Sequence, residues 1–324
     1  MTRISVALCT YNGARYLNEQ LASIEGQTRL PDEVIACDDC SGDETVAILD
    51  SFAKNASFPM RVIRNQSNLG FAKNFEKAIG LCTNEFIALS DQDDIWYPNK
   101  LEVLGGALVE NPNAGFVCSD AALIDEDGKQ LSSTRWLRSP VRFLPRGASQ
   151  FPILFSTLLK QNIVTGSAAM MRASLKPVVL PLSGRWAHDY WIAAVGTLSG
   201  NCGIGLTEPL MQYRLHPSQS IGVHPAGWKL VLHIQSAPFD IWAKEAAMFS
   251  ELREKVREHP ATFANCNAGD LELLDGKIAH LKARDLARTS HGIESWRRII
   301  TEFGTGGYKR FSLGWRSAVR DLLT

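Results

Sequence analysis

Between Ile4 and Cys118 strand signals and helix signals alternate, and no other feature of this 324-residue chain limits its folds so strongly. Ile4 to Cys9 is a continuous apolar-rich run, the pattern of a strand buried on both faces. A helix is expected from about Ala14, with Leu17, Leu21 and Ile24 on one face. Val34 to Cys37 reads as a second strand. Ser41-Gly42-Asp43 then opens a helix with Val46, Leu49 and Ala53 inward and Ser41 or Asp43 as its cap. Met60 to Ile63 is a third strand, and Phe71, Phe75, Ile79 and Cys82 mark a third helix. Phe86 to Leu89 and Gly115 to Cys118 supply two more strands. This order predicts an α/β fold, a mainly parallel sheet with helices on both faces. Such sheets bind ligands outside the carboxyl ends of their strands. Three acidic or polar clusters fall at such ends: Cys9-Thr10-Tyr11-Asn12, Asp38-Asp39 and Asp91-Gln92-Asp93.

The third cluster carries the most chemistry. Asp91-Gln92-Asp93-Asp94 directly follows the buried run Phe86-Ile87-Ala88-Leu89-Ser90. Carboxylates at such a strand end are costly unless water or a cation receives them. Alternate residues of an extended segment point the same way, so Asp91 and Asp93 are expected to face one site with Gln92 turned aside. Hard oxygen ligands suit Mn²⁺ or Mg²⁺, and Mg²⁺ usually takes one or two carboxylates plus substrate phosphates. For a D-x-D taken alone, a solvated acidic turn is the commoner reading.

Composition removes several classes. Lys+Arg and Asp+Glu are 34 each, so no global field favours nucleic acid, and none is expected as a partner. The seven cysteines are odd in number and scattered, as in reduced cytoplasmic thiols. Cys37 and Cys40 form a C-x-x-C without the two further ligands that zinc needs. The start at Met1-Thr2-Arg3-Ile4 lacks a signal-peptide pattern. The longest uncharged stretch, Tyr190 to Thr207, is too rich in glycine for a membrane span. No G-x-x-x-x-G-K-[ST] is present, and no G-x-G-x-x-G follows the first strand.

Four elements in register resemble family 2 glycosyltransferases. Val6-Ala7-Leu8-Cys9-Thr10-Tyr11-Asn12-Gly13 is similar to their opening strand, and Asp38-Asp39-Cys40-Ser41-Gly42-Asp43 to their D-D-G-S-x-D element. Asn68-Leu69-Gly70-Phe71, followed by Asn74, resembles their N-x-G segment, and Asp91-Gln92-Asp93-Asp94-Ile95-Trp96 their metal motif. Later segments resemble rhamnosyltransferase-like members: Asn162 to Ser167, then Gly184 to Trp191 with its His188-Asp189-Tyr190-Trp191, then Tyr213-Arg214-Leu215-His216 running on to Gly222. The likeness covers roughly residues 4 to 222.

The resemblance implies a GT-A fold and non-processive, inverting transfer from a nucleotide-diphosphate sugar, with dTDP-rhamnose as a donor. The acceptor implied is a glycan or lipid-linked glycan of a surface polysaccharide. Carried over residue by residue, Thr10, Tyr11, Asn12, Asp38 and Asp39 would line the nucleoside pocket, with Asp39 accepting from the base N–H. Asn68 and Asn74 would be donor contacts. Asp91 and Asp93 would hold ribose and metal, His216 would approach the metal or diphosphate, and Asp189 would be the general base. Trp186, Tyr190 and Trp191 would shape an acceptor pocket or pack in the core. Cys40 departs from the family's glycine, a strained choice if the position needs positive φ. Rival readings are a sugar-1-phosphate nucleotidyltransferase and a non-catalytic sugar-nucleotide or glycan-binding module.

A catalytic region over 1–224 and a helical region over 225–324 are expected. Near the end, Phe311, Trp315, Val319 and Leu322 form a stripe beside Lys309, Arg310, Arg316 and Arg320. The stripe fits either a helix packed on the catalytic region or peripheral contact with the inner face of a membrane.

Overall fold

A computed structural model describes residues 2–134, 147–217, 219 and 240–323. Arg135-Trp136, the expected helix start at Ala226 with Trp228, Leu230, Val231 and Ile234, the end of the His216 segment from Ser220, and the division at 224/225 lie outside those residues. One mixed sheet organises the rest. Its parallel half comprises β1 (Ile4–Thr10), β2 (Glu33–Asp38), β3 (Met60–Arg64) and β4 (Phe86–Ser90), in the order β3-β2-β1-β4. The sheet continues from β4 through β9 (Ala169–Arg172), β6 (Ala114–Ile124), β10 (Cys202–Arg214) and β5 (Ile95–Trp96). Here β9 runs antiparallel to both neighbours, while β6 and β10 pair in parallel. Two further strands, β7 (Gln130–Thr134) and β8 (Gln150–Ile153), add to β6 and β10.

Period-two alternation sorts β1 between two cores. Val6 and Leu8 meet α1 (Leu17–Glu25), α2 (Thr45–Ala53) and α4 (Lys100–Glu110) through Leu17, Leu21, Leu49, Leu101 and Leu104. Ala7 and Cys9 face the other way, toward Phe75 and Ile79 of α3 (Phe71–Leu81) and a larger cluster. That cluster includes α7 (His188–Leu198), which follows the single-turn helices α5 (Phe155–Leu158) and α6 (Lys176–Val179).

The same core runs into the C-terminal helices α8 (Ile241–Glu258) and α9 (Ala268–Thr289), through Trp242, Phe249, Leu252 and Leu274. Trp186 and Trp191 are buried in it and do not face solvent. The Trp186 indole N–H donates to Met248 O at 3.2 Å, and the ring stands edge-on to Phe249. These two tryptophans are therefore packing residues, because burying their large apolar faces stabilises more than exposing them to a sugar. The helices α10 (Ile293–Gly304), α11 (Gly307–Phe311) and α12 (Trp315–Leu323) complete the chain. No helix among the described residues is long and apolar enough to cross a membrane, and the seven cysteines are free thiols.

β10 was hidden in the sequence by Gly203, Gly205 and Pro209, which depress strand propensity. The glycines are needed because the Phe116 and Phe151 rings lie against them, each placing a ring carbon 2.2 Å from where a Cβ would sit. Pro209 stands at a register shift, where a missing ladder donor is tolerated.

Cys40 lies in the left-handed region at φ 67°. A side chain there costs roughly 1–2 kcal/mol. Its thiol is exposed, so little packing would be lost with it. Cys40→Gly is expected to raise stability by about 0.5–1 kcal/mol and Tm by roughly 1–3 °C. A lower melting temperature in scanning calorimetry would refute strain at this position.

Candidate active site

The loops after β1 and β2 are laced together. Thr10 Oγ1 donates to Asp38 at 2.9 Å, and Ser41 donates to the same carboxylate through its backbone N–H at 2.9 Å. Asn12, at φ 47°, donates its backbone N–H to Ser41 Oγ and accepts from Gly42 N. Asp39 points to the next loop. Its Oδ1 accepts from Asn65 Nδ2 and Leu69 N, and its Oδ2 from Gly70 N, all at 2.8 Å. Gly70 adopts φ 82°, which only glycine takes readily. The D-D and N-x-G segments are thus two halves of one hydrogen-bonded structure. Thr10, Asp38 and Asp39 are buried, whereas Tyr11 is 48% exposed on the rim and Asn68 is exposed, its Oδ1 accepting from Gly70 N.

Asn74 does not fit its expected role as a donor contact. It is buried, with its amide donating to Cys37 O and its Oδ1 accepting from Asn65, so it braces the loops from inside the core. Burial also pushes the Cys37 thiol up to about 11, which argues against redox chemistry with Cys40.

Gln92 is turned from its neighbouring carboxylates and has a partner of its own. Its Oε1 accepts from Tyr11 N at 2.8 Å and its Nε2 donates to Tyr11 O at 2.9 Å, as a peptide group would. A Cβ on Gly13 would collide with this amide. The pair joins the end of β1 to the end of β4.

The acidic turn is braced from behind by two buried basic side chains. Arg214, at the end of β10, donates through Nε to Asp93 O at 2.9 Å, through Nη2 to Glu19 at 2.8 Å and through Nη1 to Glu126 O at 3.3 Å. Its own N–H donates to Asp94, and its guanidinium lies 4.6 Å from the Tyr16 ring centre. Lys100 is fully buried with its ammonium 3.5 Å from the centre of the Trp96 ring, donating to Ser167 O. Burial holds Lys100 well below the usual lysine range, against the attraction of Asp94 and Asp91. Sequence reading missed Lys100 altogether. The available signal was a lysine at the first position of α4, where the helix dipole disfavours a cation unless carboxylates lie close.

On the open side, His216 Nε2 and Asp93 Oδ2 are 2.8 Å apart, with the imidazole against Tyr16. The Asp91 backbone carbonyl accepts from Ser90 Oγ at 3.0 Å, but its carboxylate makes no hydrogen bond or ion pair to the described residues. Burial, then Asp93, Asp94 and Asp189, push its carboxyl well above the usual carboxylate range.

Asp189 occupies the first turn of α7. Asn162 Nδ2 donates to its Oδ1 at 3.1 Å and Gly166 N to its Oδ2 at 2.9 Å, so the N-x-x-x-G stretch serves to orient this one side chain. A Cβ on Gly166 would meet His188 Nε2 at 2.3 Å, which leaves that position to glycine. His188 is buried, stacked 3.8 Å from Phe75, and neither ring nitrogen has a hydrogen-bond partner among the described residues. Burial lowers its pKa despite the nearby Asp189.

A model of glycosyl transferase family 2 matches residues 5–177, just over half of the chain. An uncharacterized glycosyltransferase of Haemophilus influenzae is 25% identical over 224 residues, covering 68% of each chain. One from a Nostoc species is 33% identical over 229 residues, 66% of this chain and 65% of the relative. A dTDP-rhamnosyl transferase of Shigella flexneri is 32% identical over 127 residues, which span 38% of this chain and 44% of that protein. The solved structure of Staphylococcus aureus TarS 1–349 in complex with UDP-GlcNAc is similar in fold, with a TM-score of 0.56 at 16% identity over 94% of this chain and 92% of that one. With its strand-end carboxylates, mixed sheet and C-terminal helices, the chain belongs to glycosyl transferase family 2 and is a glycosyltransferase on the GT-A fold.

Proposed function

We propose that this enzyme transfers a sugar, with inversion, from a nucleoside-diphosphate sugar to a glycan hydroxyl, with Asp189 as base and a divalent cation at Asp91 and Asp93. One observation carries the reading. Asp189 is fixed by two donors from the 162–166 loop, while Asp91, close enough to be perturbed by it, is left without a partner. That is the pairing expected of a base on one side of a sugar and a cation site on the other.

The residues fit Mn²⁺ or Mg²⁺. Asp91 is an unpartnered hard oxygen donor among like charges, and Asp93 is steadied by His216. No three His, Cys, Asp or Glu side chains among the described residues form a closed cage. A cation held here would therefore complete its shell with diphosphate oxygens and water, as Mg²⁺ commonly does. When bound, it would offset the negative charge that gathers on the leaving diphosphate.

In the transfer, Asp189 takes the proton of the acceptor hydroxyl as that oxygen bonds to the anomeric carbon. The bond from this carbon to the diphosphate oxygen breaks on the opposite face, and the diphosphate leaves with the electron pair. Thr10, Tyr11, Asn12, Asp38 and Asp39 form the nucleoside pocket. Asp39 has one acceptor position left for a base N–H after its three loop contacts. Tyr11 offers an exposed ring at the rim. Likeness to the Shigella protein supports dTDP-rhamnose as the donor. In this reading the acceptor is a glycan or lipid-linked glycan of a surface polysaccharide.

Calorimetric titration with UDP-, GDP- and dTDP-sugars is expected to show one class that binds with Mn²⁺ and at least about tenfold more weakly with EDTA or in Asp93→Ala. No metal-dependent binding of any of them would overturn the cation site, and pyrophosphate release from a nucleoside triphosphate would favour the nucleotidyltransferase reading. Asp189→Asn is expected to lower kcat by about 10²–10⁴ with donor affinity within about twofold. Transfer at the wild-type rate would remove Asp189 as base. Asn162→Ala is expected to cost roughly ten- to a hundredfold in kcat by loosening Asp189, again with donor affinity kept. An unchanged kcat would show that the backbone donors Gly166 N and Tyr190 N suffice.

A further inference from the structure

We infer that α10 and α12 form a docking surface for an anionic lipid bilayer. Isolated exposed apolar residues are normal on a protein surface, but a concentration of them is not. Seven of the thirteen exposed large hydrophobic residues among those described fall on these two neighbouring helices. Ile293, Trp296, Ile300 and Phe303 follow helical spacing along α10, and Trp315, Val319 and Leu323 along α12, each between 43% and 90% exposed. The helices are already anchored by other faces. Ile299, Ala318 and Tyr308 pack together with Ala287 of α9. Phe311, read from sequence as part of the stripe, is buried against α9 beside Gly276. The outward residues therefore contribute little to the core and face water.

Charge identifies the occupant. The acidic groups of this region are engaged: Glu302 with His280 at 2.6 Å, Asp321 with Arg284 at 2.6 Å and Glu294 with Arg298 at 3.0 Å. Arg297, Lys309, Arg310 and Arg316 are exposed and form no ion pair among the described residues. Arg316 lies 5.8 Å from the ring centre of the exposed Trp315. An apolar stripe with indoles, flanked by unneutralised cations, matches the boundary between acyl chains and anionic headgroups. A second copy of this chain fits less well, because a two-fold contact would set the four basic residues against their own copies. No helix here is long and apolar enough to span the bilayer, so the contact lies in the interface plane.

The test is flotation of the full chain with two vesicle types, phosphatidylcholine alone and phosphatidylcholine containing about one-third phosphatidylglycerol. The wild type is expected to float with the mixed vesicles and to remain below with the neutral ones. Replacing Arg297, Lys309, Arg310 and Arg316 by Gln is expected to weaken partitioning about fivefold per residue. Trp296→Glu with Ile300→Glu and Trp315→Glu is expected to abolish flotation, with an unchanged far-ultraviolet circular dichroism spectrum and melting curve because all three sites are exposed. Three results would each overturn the inference: no flotation of the wild type, flotation of the Glu variant at the wild-type level, or a wild-type dimer in sedimentation velocity that the Glu variant converts to monomer. Donor titration of the same variants reads the Asp91–Asp189 site separately, so failure of this surface is distinguishable from failure of the proposed transfer reaction.

Discussion

The acidic centre depends on Arg214. Asp91, Asp93, Asp94 and Asp189 are close enough to perturb one another, an arrangement that would repel itself open without compensation. The Arg214 guanidinium is buried, and its fork holds the backbone of Asp93 together with Glu19 and Glu126. The energetic value of such a buried cation lies less in net stability than in what its removal would leave behind. Truncating one partner of a buried charged network strands the others, typically at 3–5 kcal/mol. Lys100 is a second buried basic side chain near Asp94 and Asp91, although burial holds it well below the usual lysine range. With both in place the carboxylates can stay packed at the strand ends and still present Asp91 and Asp93 to the open side.

Around this centre, the recurrent sequence segments are complementary parts of a few contacts. Asp39 binds the loop that carries Asn68 and Gly70, and Gln92 bridges to Tyr11. Asn162 and Gly166 hold Asp189. Each contact joins segments distant in sequence, so the relative placement of the proposed nucleotide pocket, cation site and base follows from a network and not from any single loop. Such support from rigid elements is what keeps reacting groups within the tolerance that transfer chemistry demands.

Much of this was legible in the sequence. β1 to β4 announced themselves because strands buried on both faces need continuous apolar runs, and the strand-end acids stood out because carboxylates there require a reason. In the other half of the sheet only the start of β6, at Gly115 to Cys118, was legible. In β10 two glycines and a proline answer to aromatic rings and a bulge contributed from elsewhere, which a local window cannot see. The chemistry of Asn74 suggests a ligand contact, and that of Trp186 and Trp191 suits an acceptor pocket or the core; tertiary burial gives all three protein partners. Lys100 was passed over because lysine is seldom buried; only its proximity to Asp94 and Asp91 explains it.

The position of Trp186 has a consequence for how the molecule comes apart. Only Ala187 separates it from His188, the first residue of α7, and its indole bonds to α8 while Phe249 of α8 packs on its ring. The helix that carries Asp189 therefore shares an apolar core with a segment that follows it by some fifty residues in sequence. Melting of α8 would uncover that core and release the start of α7 together with it. Local opening of the C-terminal helices and loss of Asp189's placement thus belong to one cooperative unit, and amide hydrogens at the start of α7 should exchange at the pace of those in α8.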